Sequence, residues 1–331
     1  MGSDMWRHFG LKGDPFANPE PFESADYKET CATIASTIEE RGWLLVNGGP
    51  GSGKTYTTYE ALARTPCRMV RSLCGDRHHF RATQVDAAIM HDLSQESPRL
   101  GREARRRQLE RVLGEMSRED DVVVLMDEAT SIPRHVFTEI KFLRDSLRYG
   151  SDPRNPSRPD RRPLFAVVMI GWPSLAMDIE KSNELRPRIR RKPMRGLSRS
   201  EVGRFIEHLG LADVMGKDVV KLVSDHARFP LHIMDRLREG MERAFARNGK
   251  TVLGSDITLD VTEMYRQLRT SGVRLKDIAE VSGVSVAGVH HVVSGGSASQ
   301  KMIDTVQAAI QSKLDEMRDA TPAHDDVLKA G

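Results

Sequence analysis

The segment 48–55, Gly48-Gly49-Pro50-Gly51-Ser52-Gly53-Lys54-Thr55, matches the pattern GxxxxGK[ST] in full. It follows the apolar run 43–46 and precedes a helical pattern over 54–63, which is the context in which this pattern binds phosphate. Glycines let such a loop wrap around phosphate groups with its backbone N–H groups pointing inward, and the helix N-terminus adds a favourable dipole. Lys54 supplies a positive charge, and the Thr55 hydroxyl can ligate Mg²⁺.

Two carboxylates, Asp127 and Glu128, directly follow the apolar run 122–126. A continuous β-branched run is typical of a strand buried on both faces of a parallel sheet, and open α/β sheets bind ligands at the carboxyl ends of such strands. Together with the phosphate loop, the pair predicts that Asp127 holds Mg²⁺ through water and that Glu128 orients the water that attacks a γ-phosphate. The alternative is that both acids only cap the loop.

The composition is that of a folded, water-soluble chain. Its 331 residues are 39% hydrophobic and 29% charged, which excludes collagen-like, fully disordered and coiled-coil-only proteins. Fifty Lys and Arg against 47 Asp and Glu give a formal charge of +3, which argues neither for nor against a nucleic-acid partner. Because 37 of those cations are arginine, the side chain suited to bidentate contact with phosphate and carboxylate, their distribution is more informative than the total.

Cysteine spacing and hydropathy exclude other classes. Cys31, Cys67 and Cys74 form no CxxC pair and have no histidine at zinc-finger spacing, so neither a metal site nor a disulfide framework is indicated. The longest apolar stretches are far below the ~20 residues that span a bilayer. No basic-then-apolar leader opens the chain, and we expect a cytoplasmic protein without a membrane partner.

The order of elements predicts the domain organisation. Apolar strands alternate with helical patterns over residues 40–175, which favours an α/β core with a parallel sheet. Within it, 150–163 carries four prolines and four arginines and predicts a mobile basic loop. From residue 200 the pattern is helical. The expected parts are a core at 1–196, a helical lid at 197–252, a small all-α domain at 253–317 and a disordered tail at 318–331.

The spacing and order of these motifs resemble AAA+ ATPases over roughly residues 5–250. The resemblance implies ATP and Mg²⁺ as ligands, ATP hydrolysis, and rings or filaments that hold ATP between subunits. It also implies that an arginine of the neighbouring subunit reaches the γ-phosphate, and the basic segment 186–192 occupies the corresponding region. Arg188 or Arg186 is the candidate, with Arg190 next; the other interpretation is a solvated basic turn.

Two positions depart from the pattern of that family. Its first sensor is usually a polar residue at the end of the fourth strand, where this chain has Gly171-Trp172-Pro173. Its second sensor is often an arginine in the lid, and only Arg228 or His232 loosely corresponds. Slow or activator-dependent hydrolysis is consistent with both departures.

Two further segments indicate a branch of the family. Residues 9–16 (FGLKGDPF) and 170–175 (IGWPSL) resemble the branch of ExeA-type secretion ATPases and of transposition ATPases related to phage Mu B protein. A secretion ATPase is expected to carry a membrane segment and a wall-binding module, and neither is recognisable here. The transposition ATPases of phages and other mobile elements are therefore the nearer resemblance.

The segment 275–292 (LKDIAEVSGVSVAGVHHV) resembles a phage-repressor helix-turn-helix, with Ala279 at the close packing position and Gly283 at the turn. The resemblance implies that the second helix faces the major groove. Because that helix has few cations and no base-reading Arg or Gln, weak or non-specific DNA binding is expected. The alternative is a unit that binds protein or packs on the lid. The groove-facing candidates are Ser285, Val286, Ala287, His290 and His291.

Two basic segments fit a nucleic-acid partner. Residues 144–162 hold six arginines against three aspartates, and residues 99–111 hold six arginines against two glutamates. Such clusters neutralise phosphates and give salt-dependent, sequence-tolerant binding. Solvated faces or intersubunit salt bridges are the alternative. The DNA-contacting candidates in the first segment are Arg154, Arg158, Arg161 and Arg162.

Together these features predict an ATP-dependent, DNA-binding AAA+ ATPase that forms oligomers on double-stranded DNA and acts as target selector and activator of a DNA transposase. Two alternatives stay open. One is an ATP-switched helix-turn-helix transcriptional regulator or defence protein, and the other is a secretion-type ATPase that does not act on DNA.

Overall fold

The computed structural model of the chain describes residues 2–71, 82–94, 96–146, 150–152, 155–160, 163–257, 265, 268, 273–294 and 298–319. The chain divides into two compact units. The first comprises Met1–Val214 with Ala227–Asp235, and the second comprises Met215–His226 with Arg236–Gly331. The first unit holds both the phosphate-binding motif and the carboxylate pair.

A parallel sheet of five strands, in the order β2-β3-β6-β1-β7, forms the centre of the first unit. Strands β1, β3 and β6 are buried along their whole length, as their continuous apolar sequences predict. The predicted α/β fold is confirmed. The strands are β1 (Trp43–Asn47), β2 (Arg68–Val70), β3 (Val122–Met126), β4 (Gly150–Asp152), β5 (Asn155–Asp160), β6 (Ala166–Gly171) and β7 (Ile189–Pro193).

Helices cover both faces of this sheet. Side chains alternate along β1, so Leu45 packs with Ile89 of α4 and Leu113 of α5, whereas Leu44 packs on the other face with Ile34 of α2. The helices are α1 (Gly2–His8), α2 (Ala25–Glu39), α3 (Lys54–Arg64), α4 (Ala82–Ser94), α5 (Arg102–Glu119), α6 (Arg134–Ser146), α7 (Pro173–Glu180) and α8 (Arg199–His208). Since the strands are parallel, the ends of β1, β3 and β6 meet at one edge and bring Gly48, Asp127 and Gly171 to it.

The basic segment 150–163 corrects one prediction. Instead of a loop, β4 and β5 form a two-stranded antiparallel ribbon in which Gly150 pairs with Asp160 and Ser151 with Pro159. The loop prediction was wrong because proline disrupts a strand only at positions where its backbone N–H would have to donate a hydrogen bond to the neighbouring strand. A two-stranded ribbon leaves one edge of each strand unpaired, and proline is tolerated there.

The second unit is helical. It contains α9 (Lys217–His226), the part of α10 (Pro230–Ala246) from Arg236 onward, α11 (Leu275–Ser282), α12 (Val286–Val293) and α13 (Gln300–Asp319). Ile278, Val289 and Ile310 bury their side chains in a common core of α11, α12 and α13. The last described helix therefore includes residues 318–319 of the predicted tail, and 320–331 lie outside the described residues. No helix in the described ranges combines the length and the apolar character needed to cross a membrane.

Candidate functional site

The phosphate-binding motif forms a loop between β1 and α3. Gly51 has φ 73° and Gly53, the N-cap of α3, has φ 85°, which are left-handed conformations that favour glycine. The Lys54 Nζ donates a hydrogen bond to the backbone oxygen of Gly49, 2.8 Å away. Thr55 stands exposed on the first turn of α3. The loop therefore has the backbone conformation that directs N–H groups and a helix N-terminus toward a bound phosphate.

The start of α10 lies against this loop. The backbone N–H of Leu231 donates to the oxygen of Gly51 at 3.3 Å, and a Cβ on Gly51 would lie only 2.8 Å from the Cβ of Leu231. The ring of His232 is also beside Gly51, and Arg228 is exposed. Of the two loose candidates for a second sensor, His232 is thus the one that touches the phosphate loop.

The carboxylates follow β3 in a constrained segment. Asp127 Oδ1 accepts the backbone N–H of Glu128 at 2.8 Å, and the Ser131 hydroxyl donates to the backbone oxygen of Glu128 at 2.8 Å. Glu128 itself has φ 53°, in the left-handed region where a non-glycine residue is strained. Such strain is concentrated at functional sites, where the surrounding structure over-determines it.

Electrostatics link the carboxylates to the phosphate loop. Burial lowers the pKa of Lys54, while the nearby charges of Glu128 and Asp127 act in the opposite direction and raise it. The lysine and both acids therefore share one site at the carboxyl edge of the sheet. Its donor set fits Mg²⁺, because the Thr55 hydroxyl and the Asp127 carboxylate are the hard oxygen ligands that this ion prefers.

A cavity of about 750 Å³ extends from the phosphate loop. It is lined by residues 51–57 and Glu60, by residues of the N-terminal segment 16–27, and by residues of α8 and α10. Residues 9–16 were predicted only to be a family signature, and no binding role was predicted for residues 16–27. The aromatic residues of segment 16–27 are the sequence signal that could have indicated this role. The apolar lining includes Phe16, Phe22, Tyr27, Phe205 and Met234.

The N-terminal segment is attached to α8. Glu201 Oε1 accepts the backbone N–H of Ala25 at 2.7 Å, and its Oε2 accepts the N–H of Ser198 at 2.9 Å. Burial would raise the pKa of Glu201, but these backbone hydrogen bonds outweigh it and hold that pKa below the usual glutamate value. His208 Nε2 lies 2.9 Å from the backbone oxygen of Glu20. One wall of the cavity is therefore connected to the helix that follows the sheet.

The arginine segment 186–192 leads into β7, the edge strand of the sheet, and forms most of that strand. Arg188 donates to the backbone oxygen of Glu184 at 2.9 Å and lies 3.8 Å from Asp145. Arg190 donates to the Ser36 hydroxyl at 3.0 Å. The Arg186 side chain is exposed and contacts no hydrogen-bonding or acidic partner within the described part of the chain. Of the three candidates, Arg186 is thus the most available to a neighbouring subunit.

The remaining DNA candidates fall into three groups. Arg154, Arg161 and Arg162 lie outside the described residues, whereas Arg158 belongs to β5. Cys74, which is not a DNA candidate, also lies outside them. In the second unit, Ser285 caps α12 by accepting the N–H of Gly288. The exposed residues of α12 include Ala287, His290 and His291.

Three of the six arginines in the basic segment 99–111 form ion pairs with acids. Arg105 lies 2.9 Å from Asp86. Arg111 lies 2.5 Å from Glu96, and Arg107 pairs with Glu103 on the same helix. This pairing favours the alternative interpretation of α5 as a solvated, ion-paired face.

The parallel-sheet fold with its phosphate loop matches the AAA+ P-loop fold. Among solved structures, the chain is similar to Cdc6p from Pyrobaculum aerophilum, with a TM-score of 0.51 and 14% identity over 95% of this chain and 89% of that one. It is also similar to Drosophila ORC bound to DNA, with a TM-score of 0.51 and 15% identity over 96% of this chain and 79% of that one. No protein-family model and no curated protein matches the sequence.

Proposed function

We propose that this protein is a Mg²⁺-dependent AAA+ ATPase that assembles on duplex DNA and serves a DNA transposase as target selector and activator. The observation that carries the proposal is the joint placement of the glycine loop, Lys54 and the strained Glu128 at one edge of a parallel sheet. Loop N–H groups and Lys54 bind the phosphates of ATP, while Glu128 orients the attacking water. Thr55 and Asp127 would hold Mg²⁺, which supplies charge neutralisation at the phosphates when bound.

The arginine segment 186–192 supports the assembly of subunits. A cation that is exposed and lacks an intramolecular partner can enter the ATP site of a neighbouring subunit, where it stabilises charge on the transferred phosphoryl group. Arg186 meets this description, and Arg188 can do so after releasing its contacts to Asp145 and to the backbone oxygen of Glu184. ATP would thus join subunits, and hydrolysis would separate them.

DNA binding is supported by charge and by structural likeness. The segment 144–162 carries a formal charge of +3 from six arginines and three aspartates, and it includes the ribbon of β4 and β5. A two-stranded ribbon is one of the shapes that the major groove admits. ORC, which has a similar fold, is bound to DNA in its solved structure. The transposase role rests on the sequence resemblance to the Mu B branch.

The experiment is electron microscopy of the full chain with ATP, Mg²⁺ and duplex DNA, combined with measured ATP hydrolysis. Rings or filaments on DNA that require ATP support the proposal, whereas unattached monomers would contradict it. Lys54→Ala should abolish assembly, and Glu128→Gln should bind ATP, hydrolyse it at least about 100-fold more slowly and retain the assembly. Lys221→Ala and Glu242→Gln remove exposed charges of the second unit and serve as matched controls.

The transposase role needs its own measurement. A transposase encoded by the same mobile element should insert preferentially into DNA that carries the ATP-bound assembly. If insertion is indifferent to the assembly, the role in target selection is wrong and the ATPase function stands. Binding that discriminates between DNA sequences at raised salt would point to the transcriptional regulator instead.

A further inference from the structure

Thr130 connects the carboxylate segment to the end of β6. Its Oγ1 accepts a hydrogen bond from the backbone N–H of Trp172, and the two atoms are 2.7 Å apart. Trp172 is the first residue after β6, and Thr130 lies in the 3₁₀ turn Ala129–Ser131 that begins directly after Glu128. This bond therefore joins the turn that carries Glu128 to a neighbouring strand of the sheet.

Glu128 depends on such support. The left-handed region is unfavourable for a non-glycine residue, so Glu128 would leave that conformation if nothing opposed it. The hydrogen bonds from Glu128 N–H to Asp127 and from the Ser131 hydroxyl to the Glu128 oxygen lie within the segment 127–131. Because both partners of each bond belong to that segment, these bonds do not fix its position relative to the sheet. The bond from Thr130 to Trp172 instead anchors the segment to the sheet.

Gly171 leaves the room that this contact needs. A Cβ on Gly171 would lie 3.0 Å from Thr130 Oγ1 and 3.0 Å from the Leu175 side chain, closer than a comfortable van der Waals contact. A side chain at the end of β6 would thus displace the threonine hydroxyl. The hydrogen bond from Trp172 to Thr130 therefore depends on glycine at position 171.

We propose that Thr130 is a positioning residue for Glu128, which it holds in the strained conformation by anchoring the 3₁₀ turn to the end of β6. The inference rests on the proposed ATPase function and adds a residue that the sequence motifs do not include. Loss of the anchor lets Glu128 relax and moves its carboxylate relative to the attacking water. The phosphate loop and Lys54 stay in place, so the rate of hydrolysis falls while ATP affinity is retained.

The test compares steady-state hydrolysis and ATP affinity of full-length variants. Thr130→Val has the same shape but cannot accept the Trp172 N–H, and its kcat should fall roughly ten-fold with ATP affinity unchanged. Thr130→Ser keeps the hydroxyl and should restore the rate. Gly171→Ala displaces the hydroxyl without removing it and should lower kcat in the same way. Thr33→Val removes a hydroxyl that donates to the backbone oxygen of Glu29, on the same helix, and is the control.

Each outcome decides the proposal. A Thr130→Val protein with wild-type kcat overturns it, as does a parallel loss of kcat and ATP affinity or a loss that serine fails to restore. Hydrolysis by the wild type together with a selective, serine-rescued loss of kcat supports it. A wild-type protein that hydrolyses no ATP overturns the proposed function itself, and the lack of activity distinguishes that failure from failure of the Thr130 inference alone.

Discussion

The carboxylate of Asp26 accepts the backbone N–H of Gly196 at 2.8 Å. Asp26 stands at the N-terminus of α2 and lines the cavity, while Gly196 belongs to the connection between β7 and α8. The same carboxylate lies 3.4 Å from the Nζ of Lys192, a lysine that is 7% exposed. One side chain thus holds together the cavity wall, the edge strand of the sheet and the approach to α8.

Asp26→Ala should lower the free energy of unfolding by about 1–3 kcal/mol, because backbone N–H donors lose their acceptor and buried Lys192 loses one of two carboxylate partners. Urea unfolding at neutral pH measures the change. Asp213→Ala changes an exposed side chain with no hydrogen bond or ion pair among the described residues; it is the control and should stay within about 0.5 kcal/mol of wild type.

Gly51→Ala should weaken ATP binding by about ten-fold or more. The new Cβ would meet Leu231 at 2.8 Å, and φ 73° strains any L side chain, so the loop must rearrange. Titration calorimetry with ATP and Mg²⁺ measures the affinity. Gly13→Ala meets nothing within 4 Å and is the matched control. Unchanged affinity in Gly51→Ala would exclude this loop conformation from the binding-competent state.

Arg186→Ala should reduce hydrolysis in the assembled state by roughly 10³-fold without changing ATP affinity or stability, because its side chain acts in the neighbouring subunit. Arg188→Ala tests the alternative assignment. Arg191→Ala removes an arginine that is paired with Glu180 and should have little effect on hydrolysis.

A mixing experiment checks that the arginine acts between subunits. Arg186→Ala protein keeps an intact ATP site, and Lys54→Ala protein keeps an intact arginine. Mixed assemblies should therefore recover part of the activity that each variant lacks alone. Mixtures as inactive as their components would count against a role in the neighbouring site.

Salt dependence measures the contribution of the basic segment 150–163 to DNA binding. The variant with alanine at Arg154, Arg158, Arg161 and Arg162 should show a shallower fall of log affinity with log salt. The magnitude of the slope should decrease by up to about 3.6, at about 0.9 for each lost phosphate contact. Replacing Arg107 and Arg111, which are already paired with acids, should change the slope little. An unaltered slope in the variant that lacks these four arginines would place the DNA contacts elsewhere.

Asp256 makes the stability of the second unit dependent on pH. Hydrogen bonds from Arg247 lower its pKa below the ordinary aspartate value of 3.8, and the Arg247 to Asp256 contact is 2.7 Å. A depressed folded-state pKa adds stability that is present above 3.8 and is lost as pH falls through the folded value. Asp256→Asn should therefore be less stable than wild type at pH 6, with the difference shrinking toward pH 2 in urea unfolding.

Much of the core was predictable because its signals are local. The runs 43–46 and 122–126 are continuously apolar, as is typical of strands that a parallel sheet buries on both faces. The ribbon at 150–160 was not predictable in the same way. Its prolines are ordinary loop signals, and their acceptance depends on which strand edge is left unpaired.

At the phosphate site, too, some features follow from the sequence and others only from the tertiary structure. Gly48–Thr55 and Asp127–Glu128 carry their chemistry in residue types and short spacings, so the sequence by itself determined the phosphate loop and the carboxylate pair. Only the tertiary structure decided which arginine of segment 186–192 lacks a hydrogen-bonding or acidic partner among the described residues, that residues 16–27 line the cavity, and that Thr130 reaches the end of β6. These features depend on residues far apart in the chain, which come together only when strands and helices pack, so no local pattern predicts them.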